Sequence, residues 1–184
     1  TGCEQKTTAP PAATSTAAPS GAIATNPPEP QVAKPAAAPR AGDAAPKVTL
    51  ELHDGNKLEL SSLVGKKVVL YFYPKDQTSG CTKEANDFNT MLSDLDKAGV
   101  KVFGVSLQDA ASHKAFIDKE KLKFPLVVDK GGVIAKAFNV PVRGEYASRQ
   151  TFLIDSKGVV NHVWRVVDVS GHADAVLAAA KKAP

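Results

Sequence analysis

Residues 71–88 read YFYPKDQTSGCTKEANDF, from Tyr71 to Phe88. This is the end of an apolar strand, a polar turn opened by Pro74, a cysteine, and the first turns of a helix. A thiol placed where a helix starts faces backbone N–H groups without intrahelical partners and the positive end of the helix dipole. Both favour the thiolate, which is the reactive form of cysteine. An isolated cysteine is more often an inert small apolar side chain, so the function of Cys81 depends on what the rest of the chain brings to it.

Upstream, Lys66 and Lys67 precede VVLYFY, an almost unbroken run of β-branched and aromatic residues. That pattern predicts a central strand covered on both faces and ended by Pro74. Downstream, Ala85, Phe88, Met91, Leu92 and Leu95 recur at helical spacing, and Gly99 stands where a helix commonly stops. The segment KVFGVSL predicts the next buried strand, Asp109 a cap for a helix to about Lys121, and FPLVVD a short strand after Pro125. Residues 131–138 predict a short helix, and 140–148 an irregular connection. RQTFLIDSKGVVNHVWR predicts two strands about a turn at Asp155 to Gly158, followed by a last helix from about His172 to Lys182. On the N-terminal side, VTLEL and LELSSL flank an Asp54-Gly55 turn and predict a hairpin of two strands. Strands alternating with helices, with a hairpin at each end, describe an α/β sheet with helices on both faces.

The 184 residues suffice for one ordinary core. Residues 1–46, rich in Ala, Pro, Thr and Ser, cannot bury enough apolar surface to offset their ordering entropy, so a disordered tether is expected there and a globular domain over residues 47–184. A net charge of +4 without a long run of Lys or Arg argues against nucleic acid as a partner. The four histidines, His53, His113, His162 and His172, lack metal-ligand spacing, and are expected in solvent or as satisfied core residues. The stretch Thr1-Gly2-Cys3 looks like the tail of a lipobox, so Cys3 is a candidate lipidation site, with the tether as a spacer from a membrane. A leftover thiol is the plainer alternative.

Pro74, Thr78 and Cys81 stand at the spacing PxxxTxxC, and TFLIDSKG follows two residues after Arg149. Together with the strand order, these motifs resemble the peroxiredoxins of the Q type, the bacterioferritin comigratory proteins, over about residues 47–183. The resemblance implies a thioredoxin-like fold with an N-terminal β-hairpin extension. It also implies a cofactor-free thiol peroxidase that reduces hydrogen peroxide or organic hydroperoxides at Cys81, and a thiol or thioredoxin-like reductant as partner. The residue chemistry fits that reading. The Thr78 hydroxyl lies within one turn of Cys81, Pro74 would shield the pocket, and Arg149 would hold a positive charge at the thiolate and the departing oxygen. Glu84 would orient Arg149, and the N–H groups of Gly80 and Cys81 are further donors. Taken singly, Thr78 is a helix cap, Arg149 a surface charge, Glu84 a first-turn acid, and Tyr71, Phe72, Tyr73 and Trp164 are packing.

The chain departs from the pattern at one position. Many Q-type members carry a resolving cysteine five residues after the first, and here that residue is Asn86. The only other cysteine is Cys3. A one-cysteine cycle with an external thiol is therefore the leading expectation, with a Cys3–Cys81 disulfide or a disulfide between two copies as other routes. A thioredoxin-like thiol–disulfide oxidoreductase would share the fold but lacks a CxxC pair, since position 78 is threonine; an inactive tethered binding module is a further alternative. A monomer or weak dimer is expected. Placement is extracytoplasmic if Cys3 is lipidated and cytoplasmic otherwise.

Overall fold

The structure is a computed structural model, and it describes residues 38–184. The lipobox-like start and most of the expected tether lie outside the described residues. The strands are β1 (Thr49–Glu51), β2 (Lys57–Glu59), β3 (Lys67–Phe72), β4 (Val100–Ser106), β5 (Leu126–Val128), β6 (Val142–Arg143), β7 (Tyr146–Ala147), β8 (Gln150–Ile154) and β9 (Val160–Trp164). The helices are α1 (Ser79–Lys97), α2 (Ala110–Glu120), α3 (Val133–Ala137) and α4 (His172–Lys182). A five-stranded sheet runs in the order β5-β4-β3-β8-β9, with β3, β4 and β5 parallel and β8 and β9 antiparallel to their neighbours.

β3 is the centre of that sheet, as its unbroken apolar run predicts, and alternate side chains serve two separate cores. Val69, Tyr71 and Tyr73 face α1, α2 and α4, packing with Phe88, Phe116 and Val176. Val68, Leu70 and Phe72 face α3 and the β1–β2 hairpin, packing with Phe138 and Leu50. Burying each of these large side chains contributes about 1.5–3 kcal/mol. The α1 stripe of Cys81, Ala85, Phe88 and Leu95 is buried throughout, and Gly99, at φ 76°, ends the helix in the left-handed conformation that suits glycine.

Three expectations are corrected. Residues 38–46 do not belong to a free tether: Gly42 N donates to Val160 O at 2.8 Å, Ala45 N to Gly158 O at 2.9 Å, and Arg165 Nη2 to Pro39 O at 2.8 Å. Backbone groups alone carry most of this docking, which is why a composition poor in large apolar residues concealed it. The second strand of the N-terminal hairpin stops at Glu59, because residues 60–63 tighten into a 3-10 turn with Leu60 buried and Ser62 Oγ donating to Glu59 O at 2.7 Å. Residues 140–148 contain a minimal hairpin, β6 paired with β7 around Gly144, whose φ is 60°.

Candidate active site

Strand register brings the distant partner to the cysteine. β8 lies antiparallel to β3 with Gln150 opposite Phe72 and Thr151 opposite Tyr71, which sets Arg149 level with Tyr73, where the chain leaves the sheet toward α1. Arg149 Nη2 donates to Cys81 Sγ at 3.2 Å, and Nη1 donates to Glu84 Oε2. Cys81 and Glu84 are each 1% exposed, so the sulfur and the carboxylate are almost closed to water, while the Arg149 side chain between them keeps a partly exposed edge. A charged donor on sulfur at low dielectric stabilises an anion there far more than the same contact would in solvent.

α1 begins two residues before Cys81. Thr82 N is the first to donate within the helix, to Thr78 O at 2.8 Å, which leaves the N–H groups of Ser79, Gly80 and Cys81 at the open helix end. This supports the expected donors at Gly80 and Cys81. A Cβ on Gly80 would stand 3.5 Å from Arg149 Nη2, so the helix start passes close under the guanidinium. Thr78 occupies the N-cap position with an extended backbone, and its hydroxyl donates to Lys75 O at 3.1 Å rather than pointing at the sulfur. It closes the turn, and its oxygen remains an acceptor at the exposed mouth. Pro74 is half-buried beside it.

Burial lifts the Glu84 carboxyl to about 7 even though the Arg149 charge works against it. Oε2 accepts from Arg149 in either ionisation state, whereas Oε1 is buried with no partner among the described residues and is the natural seat of the proton. Arg149 is held further toward its charged form: burial opposes the charge, and Glu84 and Cys81 outweigh it.

Two buried groups lie near this row: His172, expected in solvent or as a satisfied core residue and found in the core, and Asp76, which sequence reasoning missed. His172, at the start of α4, shares a 2.8 Å hydrogen bond with Thr151 Oγ1 and is pressed to about 4 by burial and by the Arg149 charge, so it is a neutral ring at physiological pH. Asp76, 5% exposed in the turn before α1, accepts from Tyr73 Oη at 2.6 Å, Ser112 Oγ at 2.6 Å and His113 Nδ1 at 2.9 Å. Burial works against its charge, but His113, Ser112 and Tyr73 hold the carboxyl below its ordinary value. No local motif marks Asp76, since its partners lie up to 37 residues away.

Residues 41–163 match the model of the AhpC/TSA family. A putative peroxiredoxin bcp of Coxiella burnetii is 43% identical over 143 residues, covering 74% of this chain and 95% of that protein. The chain is a peroxiredoxin of the Q type, within the AhpC/TSA family. Two solved structures agree with this Q-type assignment. The bacterioferritin comigratory protein of Xanthomonas campestris, described for its alkyl peroxide reduction activity, is 42% identical at a TM-score of 0.70, covering 73% of this chain and 90% of that one. A cysteine-to-serine variant of Xylella fastidiosa PrxQ is 33% identical at a TM-score of 0.75, covering 80% and 98%. The thioredoxin-like fold with its hairpin extension is thus the peroxiredoxin fold, and the activity is that of a thiol-dependent peroxidase acting on hydroperoxides with a thiol reductant.

Proposed function

We propose that Cys81 is the peroxidatic cysteine of a one-cysteine cycle that serves alkyl hydroperoxides as well as hydrogen peroxide. The observation that carries this reading is the Arg149 Nη2 donor at 3.2 Å from Cys81 Sγ, set over the open N-terminus of α1. The Cys81 thiolate attacks the distal oxygen of ROOH, an S–O bond forms as the O–O bond breaks, and the leaving RO⁻ takes a proton to become ROH. Arg149 and the N–H groups of Gly80 and Cys81 face the oxygens on which negative charge develops. Glu84 holds Arg149, Pro74 shields the pocket, and the Thr78 oxygen stands at its mouth. The alkyl substrate class follows the activity described for the Xanthomonas relative.

The product is a Cys81 sulfenic acid. Asn86, whose side chain donates to Glu120 Oε2 at 3.0 Å, replaces the cysteine that would condense with it in many Q-type members. An external thiol therefore attacks the sulfenic sulfur and releases water, and a second thiol displaces the first as a disulfide, returning the Cys81 thiol. The reductant is a thioredoxin-like protein or a small thiol, and the enzyme works as a monomer or weak dimer. A lipid on Cys3 would hold it on the extracytoplasmic side of a membrane, which intact-mass analysis of the native protein tests. Cys81→Ser is expected to abolish peroxide consumption; activity that survives the substitution defeats the assignment. Non-reducing mass spectrometry after one equivalent of peroxide should show a sulfenic acid at Cys81, and a Cys3–Cys81 disulfide would refute the one-cysteine cycle.

A further inference from the structure

Cys81 is 1% exposed, so a thiol carried on a peptide or protein reaches its sulfur only when the first turn of α1 moves. What resists that movement is concentrated in Asp76. Between the end of β3 and the start of α1, side-chain hydrogen bonds to the body of the domain run to Asp76, among the described residues: its carboxylate takes Tyr73 Oη, Ser112 Oγ and His113 Nδ1, and its backbone N–H donates to Gln108 Oε1 at 3.3 Å. The neighbouring link is looser, Lys75 Nζ standing 5.7 Å from the centre of the half-exposed Tyr146 ring.

Three features show that this contact is built rather than incidental. The carboxylate is buried with three donors on it, an arrangement that is costly unless every partner is in place. His113 is 0% exposed and spans the sheet edge, with Nδ1 on Asp76 and Nε2 3.1 Å from Val127 O, so the ring meets an acceptor at each nitrogen. Gln77, next in the chain, sits at φ 60°, a conformation unfavourable for a residue with a Cβ that persists only where the surroundings impose it.

We propose that Asp76 is the positioning residue of the peroxidatic turn: by tying residues 74–78 to α2 through Ser112 and His113, it holds Cys81 against Arg149 for peroxide and sets how often the turn opens to an external thiol. The clamp thus divides the catalytic cycle. Closed, it serves the oxidation step; open, it exposes the sulfenic sulfur for reduction. The reduction half of this inference rests on the external-thiol reading above, whereas the oxidation half does not.

The test uses the full chain carrying Asp76→Asn, which keeps the side-chain volume but cannot accept three donors, and Ser112→Ala, which removes one donor. Stopped-flow fluorescence of Trp164 follows Cys81 oxidation by hydrogen peroxide, glutathione reduces the preformed sulfenic acid, and amide hydrogen exchange reports on residues 75–82. In Asp76→Asn, oxidation should slow by roughly tenfold or more as Arg149 and Cys81 lose their alignment, reduction by glutathione should quicken, and exchange should accelerate at residues 75–82 but not in α4. Ser112→Ala should move all three the same way by less, and it carries the test alone if Asp76→Asn does not fold. Oxidation and reduction both unchanged, or both falling together in a folded variant, would overturn the proposal. If glutathione fails to reduce even the wild-type sulfenic acid, the external-thiol reading falls, and the oxidation rate with the exchange pattern still decides the clamp.

Discussion

Arg149 divides one guanidinium between a sulfur and a carboxyl, and the ionisation of Glu84 governs how strongly the second contact holds. With its carboxyl at about 7 in the folded protein, against an ordinary 4.5, Glu84 binds its proton more tightly folded than unfolded. The stability this contributes is full below the unfolded value and is lost as pH rises through the folded one. Glu84→Gln mimics the protonated side chain at every pH. Urea denaturation should therefore show the variant gaining on the wild type between about pH 4.5 and 8, by on the order of 3 kcal/mol. A gap that is flat with pH would mean that Glu84 is ionised throughout. Cys81, Thr78 and Pro74 were legible as residues because their spacing is local. Where the Thr78 hydroxyl points was not legible, because that depends on the helix starting at Ser79 and on a turn closed onto Lys75.

At the level of elements, β3 and β4 lie side by side with Tyr71 opposite Gly104. The glycine there is a matter of space: a Cβ would come within 2.6 Å of Tyr71 Oη and 2.7 Å of Leu126 Cδ2, side chains fixed in the core between the sheet and α1. Gly104→Ala should cost about 1–3 kcal/mol by overpacking, read as a lowered urea midpoint. Gly80→Ala, whose Cβ meets Arg149 Nη2 at an ordinary 3.5 Å, should be neutral or mildly stabilising by up to about 1 kcal/mol through helix propensity. Helix and strand types were readable from periodicity. The 3-10 turn after β2 and the small β6–β7 hairpin were not, since segments this short carry too few residues to display a period.

For the molecule as a whole, the absence of a resolving thiol on α1 shapes the cycle. Asn86 sits one and a half turns beyond Cys81 on the same helix, hydrogen-bonded to Glu120 of α2. Asn86→Cys gives the enzyme a partner that the sulfenic acid reaches only if α1 unwinds. After one equivalent of peroxide, a disulfide between Cys81 and the introduced thiol should form, more slowly than sulfenic acid itself appears, and an external thiol would then be consumed in reducing that disulfide rather than the sulfenic acid; persistence of the sulfenic acid beside a free thiol would mean that α1 stays wound. The same substitution should loosen the α1–α2 contact by about 1 kcal/mol, the worth of one partly buried hydrogen bond.

By itself the sequence determined the nucleophile, its place at a helix start, the central strand behind it, the missing second thiol on the helix and the family, because each is written in contiguous residues or in short fixed spacings. Tertiary structure alone decided that Arg149 reaches Cys81 and Glu84 together, that Asp76 is gripped from α2, that residues 38–46 belong to the fold, and that Glu84 holds its proton near neutrality. These depend on sheet register and on burial, and both arise only when segments far apart in the chain are brought into contact.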